Sequence, residues 1–373
     1  MEITSSNFNK EELVTQNLRH LFSNYGYSRY TMGKFEPYDI YLANKAFLDD
    51  EKIITFTDGT GKLMALKPDV TISIIKNLPA TQKSLKVYYS ENVFRMRAPN
   101  SEYHEIAQMG VEYIGANSCY SEAEIVYLAS LSLKTINEDY LLNVSHMGFL
   151  SVILENKDLT REQQNEMIEA LKAKNSHTLK TLLEKSSLSD EISNSILAMA
   201  SLNGYYLETL EKAKQICVTA QMEKAYDELL TLYKALENTE VKNYLRLDFS
   251  IINDNDYYNG IVLKGFVRGV PKPVLAGGRY DKLMTRFNKP QCALGFALYL
   301  GELSRMFAQK NEFDVDSLLL YNENQDVAFV MSAVRILCEN GSVRAETFIP
   351  NAYTAKNIYS LQDDGTFKEV KPC

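Results

Sequence analysis

The sequence predicts an α+β protein: an antiparallel sheet flanked by helices, with an all-α insertion and a short C-terminal αβ segment. Three observations carry that expectation. Short apolar runs punctuated by Gly, Asp, Asn and Pro fill residues 53–115 and return at 244–280, the pattern of strands and turns. Between them, 148–240 is dominated by helix formers with apolar residues at helical spacing. A tail beyond about 316 mixes the two patterns. The expected organisation is a core over 1–147 and 241–315, a helical insertion over 148–240 and an αβ segment over 316–373.

Taken in order, residues 8–24 read as an amphipathic helix carrying Leu13, Leu18, Leu21 and Phe22, with Asn24 and Gly26 at its end. The Tyr- and Phe-rich stretch 27–44 reads as extended. Residues 53–71 fit a hairpin turning at Asp58-Gly59 and Gly61, residues that tolerate positive φ. Two longer strands follow, LKVYYSENVFRM and HEIAQMGVEYIG, joined by a polar loop with Pro99, Asn100 and Ser101. A helix from Ser121 to Leu133 and the strand YLLNVS precede the helical stretch. There, Thr160 and Gln163 are spaced as a capping box, and Asn203-Gly204 reads as the C-cap of a helix carrying Ile192 and Ile196. Strands resume with YLRLDFSII, NGIVLKGFV and PVLAGGRY, and GFALYLGELSRMF reads as a helix.

Composition narrows the function. At 373 residues the chain has room for two or three domains. A net charge of −8 and a pI near 5.3 oppose a surface built to neutralise phosphates, so nucleic acid is not the expected partner. The five cysteines contain no CxxC pair, which points away from a disulfide framework or a structural zinc site, and no metal or cofactor is expected. No run approaches the ~18 apolar residues of a membrane span, and the N-terminal residues lack a signal-peptide pattern, so a cytoplasmic protein is expected.

A site for a free amino acid needs an acceptor for its ammonium, a donor for its carboxylate and a shaped slot for its side chain. Asp69 and Thr71 in LKPDVT offer a carboxylate and a hydroxyl suited to an ammonium. Gln108 and Glu112, four apart, project from the same face of a strand. A carboxylate facing an imidazole N–H makes a charge-assisted hydrogen bond. Tyr257, Tyr258 and Tyr280 supply rings with polar tips. Each has a plainer reading: Asp69 as a helix cap, Glu112 as a solvent-facing strand residue, Gly277-Gly278 as a turn.

Four segments in order, LKPDVT, VFRMRAPNSEYHEIAQMGVEYIG, NDNDYYNGIV and AGGRYDKL, resemble the catalytic core of the histidyl-tRNA synthetases, class II aminoacyl-tRNA synthetases. The resemblance covers about 10–150 and 240–310 and implies the class II antiparallel sheet. It also implies that Asp69, Thr71, Gln108, Glu112, Tyr257, Tyr258 and Tyr280 surround histidine, with Arg95 beside its carboxylate. The departures fall on the nucleotide side. Arg97 stands where motif 2 has a glutamate, Asn253 where a histidine-specific arginine is usual, and Glu302 where motif 3 ends in arginine. Losing one preorganised electrostatic donor typically costs about 10²–10³ in rate.

On that balance the chain is similar to the ATP phosphoribosyltransferase regulatory subunits, non-catalytic paralogues of the synthetase. Membership would imply a short-form catalytic subunit as partner, L-histidine as ligand, feedback inhibition of the first step of histidine biosynthesis, no catalytic residues, and a homodimer within a larger hetero-oligomer. A histidine-activating enzyme (a truncated synthetase or adenylate-forming ligase) and an RNA-binding pseudo-synthetase module are the alternatives.

Overall fold

The computed structural model describes residues 10–42, 53–79, 81–97, 102–252, 258–303, 306, 313–349 and 354–370. Cα packing divides the chain into a large unit, Val14–Leu303, and a small one formed by Met1–Leu13 and Ser304–Cys373. The expected α+β class is what the chain adopts.

The large unit is built on one sheet. Helix α1 (Lys10–Asn24) buries Val14, Leu18 and Phe22, and Phe22 packs against Tyr88 and Phe296. Strand β1 (Ser28–Arg29) starts the sheet, and β2 (Phe35–Pro37) belongs to a separate small one. The stretch expected to be extended then turns into helix α2 (Asp39–Leu42), because the Tyr38 carbonyl accepts from both Tyr41 N and Leu42 N and buries Tyr41. Strands β3 (Thr55–Thr57) and β4 (Leu63–Leu66) form the expected hairpin, closed by the Asp58 side chain. Helix α3 (Val70–Asn77) follows.

Strands β5 (Leu85–Arg97) and β6 (Glu102–Ile114) pair antiparallel along their length; the expected loop residues Pro99, Asn100 and Ser101 and the Arg97 side chain lie outside the described residues. Helix α4 (Cys119–Ile136) runs longer than expected at both ends, because Ser118 caps it and Leu133 and Ile136 are buried. After β7 (Tyr140–His146) come α5 (Ser151–Leu154), α6 (Arg161–Lys172), α7 (Ser176–Glu184) and α8 (Asp190–Met199). The Thr160–Gln163 capping box forms at the start of α6.

Two expectations fail in informative ways. Asn203-Gly204 is not a helix cap: α8 ends at Ala200, and Asn203–Tyr205 forms β8, pairing antiparallel with β9 (Leu245–Asp248). The helical stretch therefore adds a strand to the sheet edge, and its helices α9 (Tyr206–Lys214) and α10 (Ala220–Leu236) do not pack only on themselves, since α10 lies against α4. Past β10 (Ile261–Val267), β11 (Leu275–Arg279) and α11 (Asp281–Arg286), the run expected as a helix is split: Leu300–Leu303 is a short 3-10 helix, and the residues before it belong to strand β12 (Ala293–Tyr299). It sits mid-sheet with both faces covered, so its residues need not alternate; such a run cannot be told from a buried helix by period alone.

The sheet order is β1-β5-β6-β12-β11-β10-β7-β9-β8, mostly antiparallel. The small unit is a second sheet, ordered β14-β13-β15-β16, with β13 (Val315–Leu320) parallel to β14 (Val343–Glu346) and β15 (Ala355–Leu361), and β16 (Phe367–Val370) antiparallel. Helix α12 (Val327–Cys338) makes the β13–β14 crossover and packs Val330, Ala333 and Leu337 against Leu319 and Leu361.

Candidate functional site

The centre of the large sheet holds a cavity of about 230 Å³. Asp69, Thr71, Arg95, Gln108, Glu112, Tyr258 and Tyr280 all line it, so seven of the eight residues selected from sequence come together; Tyr257 lies outside the described residues. The cross-strand register explains the convergence. Glu112 stands opposite Gly295, which stands opposite Gly278, which stands opposite Val262. One step along, Gly110, Ala297, Ala276 and Lys264 form a parallel row, and Gln108 stands opposite Tyr299. Residues two apart on a strand share a face, so these rows point the same way.

Small residues in the rows leave the space. A Cβ on Gly295 would lie 2.0 Å from Glu112 Oε2 and 2.3 Å from the Val111 carbonyl oxygen. Backbone cannot yield at that distance, so only glycine lets Glu112 lie across β12.

Glu112 is the buried charge of the site, 3% exposed. Thr71 Oγ1 donates to Oε1 and Tyr280 OH to Oε2, each at 2.6 Å. Burial pushes its carboxyl up to about 7, while those two hydrogen bonds pull the other way and nearby Asp69 adds to the rise. No Lys, Arg or His among the described residues pairs with it. A buried carboxylate with hydroxyl donors and no cation is ready to accept a cationic or N–H-bearing ligand.

Asp69 does what both of its sequence readings required. It caps α3, accepting from Ile72 N at 2.9 Å, and its other oxygen lies 3.5 Å from Arg95 Nη2. Arg95 Nε also donates to the Pro68 carbonyl at 2.9 Å. Burial holds the Tyr89 and Tyr258 hydroxyls well above the ordinary phenol value, so both remain protonated. The sequence reading missed Tyr89, Lys264 and the β12 residues Gly295, Phe296, Ala297 and Tyr299, all of which line the cavity. Reading 293–299 as a strand, with alternate residues on one face, would have found Gly295, Ala297 and Tyr299.

A larger cleft of about 1090 Å³ lies beside this cavity, between the start of α4, the turn after β7 and one face of α10. Its inner ionisable groups Glu122, His146, Glu228, Arg279 and Asp281 are paired. Arg279 Nη1 donates to Glu122 at 2.9 Å and Nε to Asp281 at 2.8 Å. His146 Nδ1 accepts from Gly148 N at 3.0 Å, which leaves Nε2–H to donate to Glu228 at 2.8 Å. Tyr258 lines both spaces. Among the described residues no cluster of His, Cys, Asp and Glu is arranged to hold a metal ion, and no helix is long and apolar enough to cross a membrane.

The ATP phosphoribosyltransferase regulatory subunit of Oceanobacillus iheyensis is 26% identical over 337 residues, covering 88% of this chain and 83% of that protein. A crystal structure described as an ATP phosphoribosyltransferase regulatory subunit/histidyl-tRNA synthetase from Bacillus halodurans C shares the fold, with a TM-score of 0.80 at 20% identity over 96% of this chain and 98% of that one. The ATP phosphoribosyl transferase (HisG:HisZ) complex from Thermotoga maritima contains a chain with a TM-score of 0.61 at 16% identity, covering 79% of this chain and 98% of that one. The family model for histidyl-tRNA synthetase matches residues 2–303, well over half of the sequence. The chain belongs to the histidyl-tRNA synthetase family.

Proposed function

We propose that this chain is a non-catalytic regulatory subunit of a short-form ATP phosphoribosyltransferase, and that it binds free L-histidine in the cavity around Glu112 for feedback inhibition. The observation that carries the reading is the cation-free Glu112 carboxylate, fixed by Thr71 and Tyr280 in a cavity about 230 Å³ in size. An imidazole N–H fits that carboxylate, Asp69 offers an acceptor for the ammonium, and a ligand lacking the ring nitrogens would leave Glu112 unmatched. The regulatory subunits among its relatives and the Thermotoga maritima complex support a separate catalytic subunit as partner. The residues at Arg97, Asn253 and Glu302 support a site that no longer grips a nucleotide's phosphates.

On this reading the protein works in the cytoplasm at the first step of histidine biosynthesis, as a homodimer within a hetero-oligomer, without nucleic acid or cofactor. Sensing then requires only that histidine bind one state of the assembly better than the other; the coupling free energy equals that difference.

The test is reconstitution with a short-form catalytic subunit. Phosphoribosyltransferase activity should appear on mixing and fall when histidine is added. Absence of activity at every ratio, or activity indifferent to histidine, overturns the proposal. The match to the synthetase family favours one competitor, a histidine-activating enzyme. Histidine-dependent ATP–pyrophosphate exchange by the protein alone would establish it instead.

A further inference from the structure

We infer that Lys264 is the carboxylate anchor of this cavity and sets its selectivity for α-amino acids over analogues that lack the carboxylate; the inference rests on the histidine-pocket reading above. Lys264 stands in the row Gly110–Ala297–Ala276–Lys264–Asn143, on the sheet face that carries Glu112 and Gln108. Neighbouring strands lie about 4.8 Å apart, so Ala297 and Ala276 put only small side chains between Lys264 and Gly110, over which the Tyr89 hydroxyl lies. Lys264 lines the cavity.

Its surroundings leave it uncommitted. Lys264 is half-buried, and among the described residues it makes no hydrogen bond or ion pair. Asp248 attracts it, but that carboxylate is bound by Lys174 at 2.9 Å and by Ser250 at 2.6 Å, and nearby Lys172 adds repulsion. Burial together with Lys172 lowers the ammonium's pKa, so holding it there is costly without a bound anion. Arg95 is the other cation of the cavity, and it is already engaged by Pro68 and Asp69. A ligand ammonium drawn to Asp69 and a ring drawn to Glu112 leave the carboxylate to the cation that has no partner.

Isothermal titration of histidine and of histidinol, whose carboxylate is replaced by a neutral alcohol, tests this with the full chain. The wild type should prefer histidine by about 10- to 100-fold, the range of one charge-assisted hydrogen bond. Lys264→Gln should bring the two ligands to within about threefold of each other, and Lys264→Arg should keep most of the preference. Lys264→Gln should unfold at or above the wild-type temperature, since among the described residues the charge it removes has no ion-pair partner; Lys264→Met serves as a second neutral variant if the glutamine form misfolds. A neutral variant with wild-type preference overturns the role of Lys264 and leaves the pocket reading standing. A wild type that binds neither ligand overturns that reading, and this inference with it.

Discussion

The two polar interiors of the large unit hold their carboxylates in opposite ways. Beside α10, Glu122 and Asp281 share Arg279, and Glu228 accepts from His146. In the neighbouring cavity, among the described residues, Glu112 is held by two hydroxyls and no cation, and half-buried Lys264 makes no ion pair. The first arrangement balances its charges within the protein; on the proposed reading, a ligand balances the second. Residues Arg279 and Tyr280, consecutive at the end of β11, serve one interior each. Burial alone therefore does not mark a functional charge. An unmatched partner does.

The largest break in that contrast should come from Arg279→Met. It strips the cation from Glu122 and Asp281, whose side chains are 9% and 26% exposed. Leaving a buried charge without its partner typically costs about 3–5 kcal/mol, read as a drop in urea unfolding free energy. Histidine affinity of the folded fraction should stay within about threefold. A large loss of affinity with unchanged stability would mean that Arg279 belongs to the ligand site.

Glu112→Gln should do the reverse. Histidine affinity should fall about 10- to 100-fold, and inhibition of the reconstituted complex should weaken while activation survives. Its stability effect depends on pH. Unfolded, the glutamate ionises near 4.5; folded, burial raises this to about 7. Between those values the folded state keeps a proton that the unfolded chain has released. The group's contribution is thus full below about pH 4.5, falls as pH rises toward 7 and is flat beyond. The gap corresponds to something of order 3 kcal/mol. The Gln variant should lack this slope, so its unfolding free energy should overtake the wild type's above pH 7. Parallel pH profiles for the two proteins would show that Glu112 binds its proton equally well in the folded and unfolded chains.

How much of this was visible in the sequence follows from the same chemistry. The residues around Glu112 were legible because LKPDVT, AQMGVE and GGRYD each place polar side chains at fixed spacing, and the strands and helix start that carry them meet at one cavity. The β5–β6 pair and the Thr160 capping box were legible because alternation and capping are local signals. Strand β12 was not: with both faces covered it lacks alternation, and its role depends on Gly295 meeting Glu112 from another strand. Lys264 was hidden for a related reason, since its row joins β10, β11 and β12 to β6, which is remote from them in sequence. Strand β8 is three residues long and exists only because β9 offers it an edge.

The smallest effect should come from the exposed rim of the larger cleft. Lys224 Nζ approaches Glu228 Oε1 at 3.7 Å, but its side chain is 78% exposed and water screens the pair. Glu228 keeps its stronger contact to His146, whose hydrogen bond is the leading reason its carboxyl lies below the usual range. Lys224→Ala should therefore change the unfolding free energy by less than about 0.5 kcal/mol and leave histidine affinity unaltered. A shift comparable to that of Arg279→Met would mean that the cleft's charges act as one network. Their separation into a closed interior set and a solvated rim would then have to be given up, and with it the distinction between the two interiors.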